Sequence, residues 1–174
     1  MNNIYFKDID NTNENIVRKI KLKSDQEKFI ETVDECLEEA RTCSQWNPVA
    51  IYDNEEVIGF AMYGSFGPNK DTWIDRIMID EKYQGKGFGR IAMTSLIDIV
   101  SKKYDVNTIY LSIVEENTLA YNLYKSIGFE YINEKDVNGE LIFKYTILNK
   151  YLSKVESENF HVFKSHFLYG EIDI

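Results

Sequence analysis

A mixed α/β fold, a central sheet flanked by helices, is the class the sequence predicts, and three observations predict it. A strand-like run from Trp73 to Ile79 ends just before a glycine-rich loop, Tyr83-Gln84-Gly85-Lys86-Gly87-Phe88-Gly89-Arg90. A helical pattern starts inside that loop and leads to Thr108-Ile109-Tyr110-Leu111-Ser112-Ile113-Val114, which reads as a strand buried on both faces. Strand, helix and buried strand imply a parallel pair with a right-handed crossover. Hairpin patterns stand on either side of this unit, so the sheet is expected to mix parallel and antiparallel pairing.

The first strand is Ile4 to Ile9, and Thr12 with Glu14 behind it opens a short helix through Arg18 to Leu22. Ser24-Asp25-Gln26-Glu27 has the form of a capping box, in which Ser24 and Glu27 each satisfy an orphan N–H of a first turn. Phe29, Ile30, Val33, Leu37 and Ala40 then recur at helical spacing, which predicts a helix running to about Arg41. Its acidic side carries Glu31, Asp34, Glu35, Glu38 and Glu39. A solvated face is the ordinary reading of such a run. The alternative is that Glu31, Glu35 and Glu38, at i, i+4 and i+7, line one wall of a pocket for a cation.

Pro48 closes the loop after this helix, Val49 to Asp53 reads as a strand, Asn54-Glu55 turns the chain, and Val57 to Gly64 returns it. In the next strand, alternation places Trp73, Asp75, Ile77 and Ile79 on one face and Ile74, Arg76 and Met78 on the other. Phe88, Ile91, Ala92, Ser95, Leu96, Ile99 and Val100 form the stripe of an amphipathic helix of about 17 residues. After Glu115-Glu116-Asn117 a short helix from Thr118 to Ile127 is closed by Gly128, where a left-handed residue is favoured. Phe129 to Asn133, a turn at Asn138-Gly139, and Leu141 to Leu148 make a closing hairpin.

Beyond Leu148 the pattern loosens, so residues 1–148 are expected to form one domain and residues 149–174 an extension. Phe160, Phe163 and Phe167 make a turn-spaced stripe for a short helix that docks on the domain or on a second copy, which leaves a homodimer open. His161 and His166 stand at i and i+5, a poor metal spacing, and no Cys/His set has ligand spacing, so no metal is expected. Cys36 and Cys43 lie roughly 10.5 Å apart along a helix, too far for a disulfide.

At 174 residues with 44% apolar content the chain suits one domain with a proper core. A net charge of −9 argues against a nucleic-acid partner, since phosphate neutralisation needs a basic surface. It is compatible with a cationic substrate. No apolar run long enough for a membrane span and no signal-peptide pattern occurs, so a cytoplasmic, membrane-free protein is expected.

The glycine loop reads as an anion cradle. Alternating glycines remove Cβ atoms that would hold a diphosphate off the main chain, and the free N–H groups of a new helix point at that site. A dinucleotide fingerprint counted from Gly85 needs glycine at position 90, which is Arg90, and a Walker A loop needs Gly-Lys where the chain has Arg90-Ile91. What remains is Gln-x-x-Gly-x-Gly between strand and helix.

That loop resembles the pyrophosphate loop of the GNAT acetyltransferases, and the segment Ile77-Met78-Ile79-Asp80 through Arg90 is similar to their coenzyme-binding strand and loop. A second segment, Asn117-Thr118-Leu119-Ala120-Tyr121-Asn122-Leu123-Tyr124-Lys125-Ser126-Ile127-Gly128-Phe129, is similar to the family signature Asn-x-x-Ala-x-x-Leu-Tyr-x-x-x-Gly-Phe. The resemblance covers nearly all of residues 1–148. It implies the GNAT fold, a mixed sheet of six or seven strands whose parallel pair splays apart at the cofactor site. It further implies acetyl-CoA as cosubstrate, with the main chain of Ile77, Met78 and Ile79 beside the pantetheine and that of Gln84, Gly85, Lys86, Gly87, Phe88, Gly89 and Arg90 around the pyrophosphate. Asn117 would hydrogen-bond the pantetheine arm, Ala120 and Lys125 would lie beside it in the second signature, and Tyr124 would protonate the departing thiolate.

Each role has a plainer reading. Tyr124 also fits the apolar stripe as a core aromatic, Asn117 fits a helix cap, and Lys86 and Lys125 fit a solvated surface. For the base that takes the amine's proton, Asp75 is the candidate on the strand face of Ile77 and Ile79, with Glu115 next; a salt bridge is the plainer reading of Asp75. The run from Phe29 to Gly64, together with Tyr83 to Gly87, resembles bacterial spermine/spermidine (diamine) acetyltransferases, which implies a polyamine acceptor. The acidic helix residues and Asp75 and Glu115 would then meet its cationic nitrogens. An aminoglycoside, an amino acid or a protein N-terminus is the alternative acceptor, and a non-catalytic acetyl-CoA sensor is the alternative to an enzyme.

Overall fold

The computed structural model of the chain describes residues 4–148. The expected stripe of Phe160, Phe163 and Phe167 and both histidines lie outside the described residues. The elements are β1 (Ile4–Asp8), α1 (Glu14–Val17), α2 (Val33–Thr42), β2 (Trp46–Asp53), β3 (Glu56–Phe66), β4 (Asp71–Ile79), α3 (Phe88–Tyr104), β5 (Thr108–Ile113), α4 (Thr118–Ile127), β6 (Glu130–Lys135) and β7 (Leu141–Thr146). The strands form one seven-stranded sheet in the order β1-β2-β3-β4-β5-β7-β6.

Neighbours are antiparallel except β4 and β5, which run parallel and meet at a single register pair, Trp73 with Tyr110. Beyond that point the two strands part, as the resemblance implied. On one face of the sheet Ile58, Ile74, Leu96, Ile109 and Phe143 share a core with α3 and with Tyr124 of α4. On the other, Phe60, Met62 and Met78 pack against Val17 of α1 and Val33, Cys36 and Leu37 of α2. The helices are held by burial of their apolar faces, and α1, α2 and α4, at 4, 10 and 10 residues, are too short to be stable alone.

The helix expected after the glycine loop is the 17-residue α3, but the face it buries is Phe88, Ala92, Met93, Leu96, Ile97 and Val100, while Ile91 and Ile99 of the expected stripe are exposed. Helix α4 runs from Thr118 and ends at Gly128, whose φ of 116° is the left-handed turn expected there. Two further expectations are corrected. The predicted helix from Ser24 to Arg41 is broken: Glu27–Phe29 form a single 3-10 turn, Ile30 is extended at φ −157°, and α2 starts at Val33. Its working capping box is Thr32 with Glu35, whose backbone and side-chain bonds are both made. The break lets Phe29 and Ile30 turn toward the gap between β4 and β5 while Val33, Cys36 and Leu37 stay in the core.

The face assignment in β4 is the second correction. Met62 pairs with Arg76 and Tyr63 with Ile74, so Asp75 is an extra residue with no cross-strand partner, a β-bulge. Alternation is thereby reset, and Ile74 shares the same core as Ile77 and Ile79 instead of the opposite one. Two smaller differences are a helix α1 that stops at Val17 and a strand β2 that starts at Trp46 and includes Pro48. Strand β1 reaches only as far as Val49, so Pro48, paired with Met62, sits where no β1 acceptor waits for an N–H.

Candidate active site

A cavity of about 500 Å³ opens where β4 and β5 separate. Its floor is the edge of β4 at Ile77, Met78 and Ile79, and one end is the glycine loop. Gly85 and Gly87 have φ of 75° and 84°, and a Cβ built on either would meet nothing within 4 Å. Both positions therefore require glycine for backbone reasons, and their bare main chain faces open space. Gly87 is also the N-cap of α3, with no side chain capping the helix. Between Gln84 and Gly87 no main-chain N–H finds an acceptor among the described residues. Unfilled donors at a helix start are a site for anionic oxygens, so this end fits the diphosphate of acetyl-CoA. Gly89 is different, since a Cβ there would only touch Leu123 at 3.8 Å and Ile79 at 3.9 Å.

The loop is held from behind. Asp80, 8% exposed, accepts from the N–H groups of Lys21 and Lys82, and Gln84 Nε2 donates to Ile79 O and Gln26 Oε1, both at 2.8 Å. The cationic side chains of the loop are engaged by the protein itself. Arg90 is tied to Ser126, donating to its Oγ at 2.6 Å, and Lys86 donates to the carbonyl of Lys82 at 3.1 Å.

The other end is acidic. Asp75, Glu31 and Glu140 all border the cavity, with Arg76 among them. Arg76 pairs with the Asp75 carboxylate, and its Nε lies 2.7 Å from Glu31 Oε2, yet that N–H is not aligned on an acceptor. Burial pushes the Asp75 carboxyl up to about 6; Arg76 pulls it down, and Glu39, Glu31 and Glu140 add to the rise. Asp75 is thus a carboxylate at neutral pH that accepts a proton more readily than an exposed Asp.

Tyr124 also borders the cavity, 9% exposed, its pKa raised by burial so that it keeps its proton. Its hydroxyl has no hydrogen-bond partner among the described residues, and its ring packs 5.9 Å from that of Phe129. Asn117 caps α4, its Oδ1 accepting from Ala120 N–H at 3.2 Å, which is the plainer of its two readings and leaves the amide NH2 at the cavity border.

Of the other residues singled out from the sequence, Phe88, Gly89, Arg90 and Ala120 also border the cavity. Glu35, Glu38, Glu115, Lys86 and Lys125 do not. Glu35 is used by the Thr32 cap, Glu38 pairs with Arg41 at 3.1 Å, and Glu115 pairs with Lys135 at 2.9 Å. Lys125 lies over the ring of Tyr121, 5.8 Å from its centre. Sequence reasoning missed Arg76, Ser112 and Glu140 as cavity residues. A serine inside the apolar run Ile109 to Val114 was a usable signal; nothing local marks Glu140, which follows an ordinary Asn-Gly turn.

Residues 12–129 match the model of the acetyltransferase (GNAT) family. A spermine/spermidine N(1)-acetyltransferase of Bacillus subtilis is 37% identical over 145 residues, covering 80% of this chain and 95% of that protein. Among solved structures, a spermidine N-acetyltransferase of Vibrio cholerae in complex with CoA and spermine superposes with a TM-score of 0.64 at 17% identity, covering 84% of this chain and 96% of the other. A Bacillus subtilis acetyltransferase in complex with CoA gives 0.62 at 18% identity, covering 85% and 100%. At such identities the two superpositions speak for the fold.

Proposed function

The chain belongs to the GNAT acetyltransferase family and is an acetyl-CoA-dependent N-acetyltransferase, and we propose that it acetylates a primary amine of a polyamine such as spermidine or spermine. The observation that carries the acceptor reading is one continuous cavity with unfilled main-chain donors at one end and Glu31, Asp75 and Glu140 at the other. A diphosphate and a linear polycation have opposite electrostatic needs, and the two ends differ in the matching sense. The name of the 37%-identical relative points to the same acceptor class.

When bound, acetyl-CoA supplies a thioester whose acyl carbon is open to attack by a neutral amine. The protein's part is to place and to move protons. The exposed edge of Ile77 and Ile79 pairs with the pantetheine amides as an added strand, and the N–H groups of the glycine loop hold the pyrophosphate. The Asn117 amide NH2, free of the cap, donates to the pantetheine arm. An alkylammonium with a pKa near 10 must lose a proton before it can attack, and the Asp75 carboxylate takes it, directly or through one water. Tyr124 Oη would give its proton to the sulfur as the carbon–sulfur bond breaks, and the second proton that the attacking nitrogen sheds on becoming an amide would restore the phenol.

Release of CoA with a panel of amines tests the acceptor. Spermidine and spermine are expected to accelerate release well above buffer and above an aminoglycoside or an amino-acid amide. Spermidine no faster than buffer would overturn the polyamine assignment, and a faster aminoglycoside would replace it.

A further inference from the structure

Resting on the polyamine reading, we propose that Glu140 receives the distal ammonium of the acceptor and is the residue by which the cavity prefers a polyamine to a monoamine. Asp75 has acidic neighbours on two sides. On the α2 side stand Glu31 and Glu39, and there the protein already supplies a cation: Arg76, with its side chain 16% exposed, lies 2.7 Å from Glu31 and 3.9 Å from Glu39 while also pairing with Asp75. An ammonium arriving on that side would have to compete with a guanidinium that is covalently part of the strand.

On the β7 side the situation is reversed. Glu140 is half-buried at the cavity border, and no cation pairs with it among the described residues. Its backbone is fixed at both polar atoms, the N–H donating to Asp136 Oδ1 at 2.9 Å and the carbonyl accepting from Asp136 N at 3.0 Å. Its side chain is fixed too, because Ser112 Oγ donates to Oε2 at 2.7 Å. One hydroxyl occupies one acceptor position of the carboxylate and leaves the others for an ammonium. An uncompensated, half-buried carboxylate costs desolvation, so a cation placed there gains more than it would at the surface. Because Glu140 and Asp75 border one cavity, a molecule with two nitrogens can engage both, and a monoamine only one.

The test is the KM for spermidine and for 1-aminobutane in the wild type, Glu140→Gln and Glu31→Gln, at one pH and ionic strength with saturating acetyl-CoA. Glu140→Gln is expected to raise the spermidine KM about five- to tenfold and to leave that of 1-aminobutane within about twofold, the scale of one partly exposed charge-assisted contact. Equal change for both amines, or no change in either, would overturn the assignment. So would a selective loss that appears in Glu31→Gln and not in Glu140→Gln. A wild type that does not distinguish the two amines removes the polyamine reading itself, and Glu140 with it. Melting temperatures of the variants separate a lost contact from a damaged fold.

Discussion

At the scale of single residues the chemistry proposed here falls on Tyr124. Its hydroxyl has no hydrogen-bond partner among the described residues and borders the cavity, so removing it strands no group of the protein. Tyr124→Phe should therefore melt no earlier than the wild type. It should lower kcat by about 10- to 100-fold, the low end of acid catalysis, because a thiolate is already a tolerable leaving group. Acetyl-CoA affinity should stay within a few-fold, since the ring keeps its packing on Phe129. Unchanged turnover across the pH range would show that another group supplies the proton. Tyr124 was legible in the sequence through the Asn117 to Phe129 signature, whereas Glu140 was not, because what marks it, its bond to Ser112 of β5 and its place on one cavity with Asp75, joins segments far apart in the chain.

At the scale of elements the decisive feature is the junction of β4, the glycine loop and α3. Gly87 combines a left-handed φ with open space where a side chain would project, so Gly87→Val pays backbone strain and fills the cradle at once. Acetyl-CoA binding should weaken by about 10-fold or more in a direct titration, a contact-scale loss at a site with several donors. Normal binding by this variant would contradict the cradle. The loop and α3 were readable because glycine spacing and a helical apolar period are local signals, whereas the burial of Met93 and Ile97 in place of Ile91 and Ile99 was set by packing. The segment before α2 was misread for the same reason: Ser24 with Glu27 and Thr32 with Glu35 both spell a capping box, and only packing chose the second. A helix running through Ile30 would have kept Phe29 and Ile30 from covering the mouth between the splayed strands.

At the scale of the whole molecule the clearest consequence is a pH dependence. The groups that set the Asp75 pKa come from the segment before α2, from α2 itself, from β4 and from the turn before β7, so the value near 6 exists only once these are assembled. Acting as a base, Asp75 must be ionised, and kcat/KM should rise with pH through about 6. Asp75→Asn should be slower and should lose that limb; a profile flat between about pH 5 and 7, or a limb retained in the variant, would remove Asp75 as the base. The same shift costs stability in the other direction. A carboxyl whose folded pKa is raised stabilises the fold fully below its ordinary 3.8, and that contribution is lost as pH rises through about 6. The order of strands and helices, the glycine loop and the α4 signature were fixed by local pattern: periodicity, turn residues and motif spacing are properties of neighbours in the chain. Which carboxylates meet, that Asp75 sits in a bulge, and that Arg76 neutralises one acidic arm while Glu140 is left to the other were decided only by tertiary structure. Charges interact through space, and strand register and helix breaks that set those distances are selected by packing between segments far apart in sequence.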